Sequence, residues 1–158
     1  MENNFLISGL KRKDFLALDS LTAEELEEQH IKKQIVDRSP GFPCRITLRE
    51  GTVGETIYLL NYQHLKKQSP YDAAGPIFVI AGTDEAALEI NEIPAIIYNR
   101  FTSLRCYDSS GMMIEAYLYQ PKTLTAKDIC HILTNKNISF IHVHYAARGC
   151  YSARIDRV

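Results

Sequence analysis

FIHVHYAARGCYSAR, Phe140–Arg154, decides how this chain is read, because it contains two alternating segments joined by a short turn. A strand sends successive side chains to opposite faces. His142 and His144 therefore share one face of the first strand, with Ile141, Val143 and Tyr145 on the other. On the return strand Cys150, Ser152, Arg154 and Asp156 fall on one side and Tyr151, Ala153 and Ile155 on the opposite one. Pairing is decisive, since a slip of one residue flips every side chain. Placing Ala146 against Cys150, around a loop closed by Gly149, sets His144 opposite Ser152 and His142 opposite Arg154. It also gathers the apolar residues of both strands, Tyr145 and Tyr151 included, on one side. The other register, Tyr145 against Cys150, strands Tyr151 among the histidines. A buried polar group without a partner costs about 1–3 kcal/mol. The first register is therefore expected, with both histidines, Cys150 and Arg154 on one polar side.

A second hairpin lies upstream, in SLRCYDSSGMMIEAYLY. With Gly111 left-handed in a three-residue loop, Asp108 faces Met112, Tyr107 faces Met113 and Arg105 faces Glu115 as a cross-strand ion pair. Leu104 and Cys106 then lie on its apolar side. CRITLRE alternates and is predicted as a strand, with Cys44, Ile46 and Leu48 on one face and Arg45, Thr47 and Arg49 on the other. IKKQIVD, ETIYLLNY and IFVIAG read as further strands. Between the last two, HLKKQSPYDAAGP is a polar loop that places His64 on a solvated surface beside Lys66 and Lys67. Helices are predicted at 20–30, at 93–100 with Pro94 in the first turn, and in TLTAKDICHILTNKN. Thr22 with Glu25, and Thr125 with Asp128, have the spacing of capping boxes. The expected architecture is a single α+β domain over residues 1–158. It has a mostly antiparallel sheet of about seven or eight strands, with two or three helices packed mainly on one face.

Composition narrows the function classes. The 158 residues carry a net charge of −1, and the basic residues are dispersed among acids, so no nucleic-acid partner is expected. The N-terminal stretch MENNFLISGLKRKDF lacks the order of a secretory signal, and no apolar run approaches a membrane span. The expected compartment is cytoplasmic, with no membrane partner. The four cysteines, Cys44, Cys106, Cys130 and Cys150, are scattered and form no CxxC pair, so free thiols are expected. No cofactor is called for, and oligomeric state is left open.

Several functions fit the polar side. An outer face in solvent is one, since antiparallel sheets often have one wet side. The reading adopted among activities is a site for a small polar or anionic molecule. Arginine offers a planar fork for carboxylate or phosphate, and histidine moves protons near neutral pH. Arg154, His142, Arg105, His144 and Tyr107 would line it, with the loop bearing Ser69 and Tyr71 as a lid. Catalysis would then fall to His142 or Cys150, the latter as a thiolate with a histidine base. A zinc-type site at His142, His144 and Cys150 is the metal alternative, and an interaction or scaffold module is the non-catalytic one.

The runs GFPCRITL, SPYDAAGPIFV, LRCYDSSGMM and GCYSARIDR occur in this order across roughly residues 30–158. As a set they resemble the bacterial domain-of-unknown-function family numbered 1203. The positions that carry the resemblance include Pro43, Cys44, Arg45, Ser69, Tyr71, Arg105, Asp108, Gly111, Cys150 and Arg154, with His142 matching a family histidine. The resemblance implies a small single-domain bacterial protein and implies no particular reaction.

Overall fold

The structure is a computed structural model that describes residues 3–158. Within them the strands are β1 (Phe5–Ser8), β2 (Lys32–Ile35), β3 (Thr56–Leu65), β4 (Ala73–Val79), β5 (Thr102–Tyr107), β6 (Met113–Tyr119), β7 (Phe140–Tyr145) and β8 (Tyr151–Arg157). The helices are α1 (Ala23–Glu28), α2 (Ala95–Tyr98) and α3 (Ala126–Ile132), with a 3-10 stretch at Arg12–Ser20. The α+β class with antiparallel pairing is as expected from the sequence. The strands divide, however, into a five-stranded sheet, β1-β8-β7-β5-β6, and a three-stranded sheet, β2-β3-β4. Alternation along a strand cannot reveal that division, because it reports a buried face and not what covers it.

The apolar face of the larger sheet supplies Phe5, Ile7, Leu104, Cys106, Ile141, Val143, Ala153 and Ile155 to one core. Ile96 and Ile97 of α2, and Ile129 and Ile132 of α3, close over it. Burying side chains of this size contributes about 1.5–3 kcal/mol each. The starts of α1 and α3 have the expected reciprocal caps. Glu25 N–H donates to Thr22 Oγ1 at 3.2 Å and Thr22 N–H to Glu25 Oε2 at 2.7 Å. Asp128 N–H donates to Thr125 Oγ1 at 3.3 Å and Thr125 N–H to Asp128 Oδ2 at 2.8 Å. A second core joins the smaller sheet to the 3-10 stretch and α1 through Ile57, Ile77, Val79, Phe15, Leu18 and Leu26.

CRITLRE is not a strand. Pro43 and Cys44 make only isolated bridges, and the chain then turns, with Leu48 N–H donating to Cys44 O at 3.1 Å and Leu48 at φ 50°. The cause is Arg45, which is 1% exposed and not on an outer face. Its Nε donates to Tyr151 O at 2.8 Å, and Nη1 donates to Pro43 O at 2.6 Å. Its Cζ sits 5.0 Å from the ring centroid of Tyr145. Buried carbonyls need donors, and this guanidinium supplies them to segments far apart in sequence.

The β5–β6 hairpin follows the expected register only near its turn. Asp108 N–H donates to Met112 O at 2.9 Å, Gly111 is left-handed at φ 86°, and Tyr107 pairs with Met113. Beyond that a bulge shifts the ladder, so that Cys106 pairs with Glu115 and Arg105 with Ala116. The Arg105–Glu115 ion pair does not form. Glu115 instead accepts hydrogen bonds from Asn135 Nδ2 at 2.7 Å and the Tyr117 hydroxyl at 2.5 Å.

Candidate metal centre between the sheets

Cross-strand pairing places Arg105, His142 and Arg154 in one row across β5, β7 and β8. The neighbouring row is Ser103, His144 and Tyr151. The expected His142–Arg154 pair is therefore present, as are Val143–Ala153 and Ile141–Ile155. The register then shifts by one residue at Ser152, so His144 faces Tyr151, and Tyr145 N–H donates to Cys150 O at 2.9 Å. Tyr151 is buried, as expected, but on the histidine side and not with the apolar set. The two registers weighed from the sequence both occur, one at each end of the hairpin, joined by a bulge.

The polar side is not a solvated face. His142 is 3% exposed and His144 is 0% exposed. The end of β3 covers them with His64, which lies in a strand and not in the polar loop. Its ring stacks on Tyr151 at 5.4 Å and meets His144 edge-on at 4.9 Å and His142 at 5.9 Å. A second irregularity lies beside it. The β3–β4 register shifts between Tyr62 and Leu65. His64 and Leu65 can thus both face inward, Leu65 packing with Tyr107 and Phe140. Bulges of this kind re-aim side chains; the one at Ser152 brings Tyr151 onto the ring of His64, and the one before Leu65 turns Leu65 inward beside it.

One ring nitrogen from each of His64, His142 and His144 lies within 4.8 Å of the others. Among the described residues His64 Nδ1, His142 Nδ1 and His144 Nε2 are buried without a hydrogen-bond partner. His144 Nδ1 sits 2.9 Å from Gly149 O. A carbonyl only accepts, so Nδ1 carries the proton and Nε2 presents a lone pair. Burial, chiefly, holds His142 down to about 3, with added repulsion from His144, His64, Arg154 and Arg105. Burial also holds His144 down to about 3, opposed by its bond to Gly149 and helped by Arg105, His64 and Arg45. His64 is lowered by burial and then by Arg105. All three rings are neutral at pH 7, the form that binds metals.

The other sequence candidates fall around this cluster. Arg154 is held by Asp156 on its own strand, Nη2 to Oδ1 at 2.8 Å, and stacks 4.3 Å from the centroid of Phe140. Cys150 stands apart from the histidines and accepts from Arg45 Nη2 at 3.2 Å. Tyr107 meets His142 edge-on at 5.3 Å, and Tyr71 meets Tyr107 at 6.3 Å. The Ser69 hydroxyl donates to Gly111 O at 2.9 Å, docking its loop on the β5–β6 turn. A surface cleft of about 770 Å³ lies away from the cluster, among Asp108, Asn135, Lys136 and Arg157. The sequence reading named Arg45 but put it on a strand's polar face, not in the interior, and it missed His64 as a site residue. The only local signal for His64 is its two-residue spacing from Tyr62, which extends the preceding strand's inward side.

Fold and cluster together define an α+β domain with a three-histidine centre enclosed between two sheets. The chain belongs to the family described as Protein of unknown function (DUF1203), which it matches over residues 41–157. Comparison with curated proteins and with solved structures finds no match. Among the described residues no helix is long and apolar enough to cross a membrane.

Proposed function

We propose that this chain is a metal-binding domain. It holds one divalent ion of the zinc class on His64, His142 and His144 and leaves a coordination position for a small polar ligand. The observation that carries the reading is the set of three buried imidazole nitrogens without partners. Orphaned polar atoms of this kind cost about 1–3 kcal/mol each, and one ion would satisfy all of them. Imidazole suits zinc and its neighbours, whereas calcium and magnesium prefer oxygen. Among the described residues no carboxylate joins the three histidines. Bonds of about 2.0–2.1 Å to a tetrahedral ion would bring the nitrogens to roughly 3.4 Å of one another. Side-chain rotations on the order of an ångström close the set. The bond from His144 to Gly149 is the outer contact that commonly fixes a ligating ring.

The test is calorimetric titration of zinc into chelator-treated protein, in parallel with His64→Ala. The expected result is one ion bound per chain and loss of binding in the variant. Wild-type protein that takes up no zinc at pH 7.5 would refute the reading. So would an unchanged isotherm in His64→Ala.

A further inference from the structure

Three arginines, Arg45, Arg105 and Arg154, put their charge on His142 or His144, and two of them are already taken up by carbonyls or a carboxylate. Arg45 is spent on the carbonyls of Tyr151 and Pro43, and Arg154 is neutralised by Asp156. Arg105 is the direct cross-strand neighbour of His142 and is only half-buried. Among the described residues no carboxylate lies within ion-pair distance of it. Its charge is felt at all three rings, lowering His64, His142 and His144 after the larger effect of burial.

A divalent ion on three neutral imidazoles beside this guanidinium leaves three positive charges with no acid to offset them. Charge in a half-buried site interacts more strongly than in water, so the arrangement is short of an anion. We propose that the open position of the metal centre takes a small oxyanion, a carboxylate or a phosphate, with one oxygen on the ion and another on Arg105. A planar guanidinium beside a cation offers two directed donors and a positive neighbour, which is the pattern that grips such a group. This inference rests on the metal reading above and goes further by naming the ligand's chemistry and the residue that selects it.

The experiment uses cobalt(II) as a coloured stand-in for zinc, with inorganic phosphate and acetate as separate probes. The proteins are wild type, Arg105→Gln and Arg154→Gln. The expected result is that all three bind cobalt, Arg105→Gln at least as tightly as wild type, because a repelling charge has gone. At least one of the anions should then shift the visible spectrum of wild type and of Arg154→Gln. Its affinity in Arg105→Gln should be weaker by about tenfold or more, the size of a lost charge-assisted pair. Phosphate acting alone would assign the site to phosphate groups, and acetate acting alone to carboxylates. Failure to bind cobalt in wild type overturns the metal reading and this inference with it. Normal cobalt binding with no response to either anion, or with equal responses in wild type and Arg105→Gln, overturns this inference alone.

Discussion

Lowering the pH from 7 to 5 is expected to destabilise the metal-free chain through His142 and His144. Each ring is held near 3 in the folded state, mainly by burial. In an unfolded chain it returns to about 6.5. Between those values the unfolded state binds protons that the folded state refuses. The stabilising contribution is therefore complete above about pH 6.5 and falls as the pH drops toward 3. At pH 5 the unfolded rings have gained roughly 1.5 pH units of protonation. At about 1.36 kcal/mol per unit, that is roughly 2 kcal/mol for one histidine and up to about 4 for both. Against a typical total of about 5–15 kcal/mol, this is a large fraction. The charges facing the pair, Arg105, Arg154 and Arg45, are permanent over this range, while His64 titrates in the same sense. The assay is urea unfolding with EDTA, followed by circular dichroism at pH 7 and pH 5, for wild type and for the double variant His142→Phe with His144→Phe. The repacked rings give the variant a constant offset, so the comparison lies in the change between the two pH values. Equal losses in the two proteins would refute the reasoning, since His64 and the carboxylates would then account for the whole effect.

Two substitutions test the packing around the site. Arg45→Met should cost about 2–5 kcal/mol, because it leaves the carbonyls of Tyr151 and Pro43 buried without donors; a thermal melt showing a loss below about 1 kcal/mol would contradict that role. Gly9→Ala should cost about 1–3 kcal/mol, because its Cβ would stand 2.5 Å from Ile46 O and 2.7 Å from Arg45 O, both backbone atoms. Gly75→Ala is the control, with nothing within 4 Å of the added atom, and its melting temperature should not fall appreciably.

Much of the fold was legible because it is written locally. The capping pairs at Thr22 and Thr125 and the left-handed Gly111 each depend on neighbours a few residues away, and each formed as read. The His142–Arg154 pair was also legible, since alternation on two strands leaves few registers. What alternation cannot encode is an inserted residue. The shift at Ser152 moved Tyr151 to the other face, and the shift before Leu65 turned Leu65 inward beside His64, on a strand that runs further than its composition suggests. Both are favoured by what lies across the gap between sheets, where Tyr151 stacks on His64. CRITLRE failed for a related reason. Its alternation is real, but Arg45 was assigned to an outer face on charge alone, whereas it is buried and donates to the neighbouring Pro43 carbonyl and the distant Tyr151 carbonyl. The candidate site was thus half visible: two of its three histidines could be placed, and the third waited on tertiary contacts.

The order β1-β8-β7-β5-β6 also bears on how the protein is made. Among the described strands, β7 and β8 are translated after the others yet lie in the interior of the larger sheet, between β1 and β5. Until β8 emerges, β1 has no neighbour to pair with, and Phe5 and Ile7 have no finished core to enter. The bond from Arg45 to Tyr151 closes a separation of 106 residues. Topologies dominated by such distant contacts fold slowly and leave apolar segments uncovered meanwhile. His64 is likewise translated long before His142 and His144. A nascent chain therefore cannot assemble the three-histidine centre before the final hairpin is released.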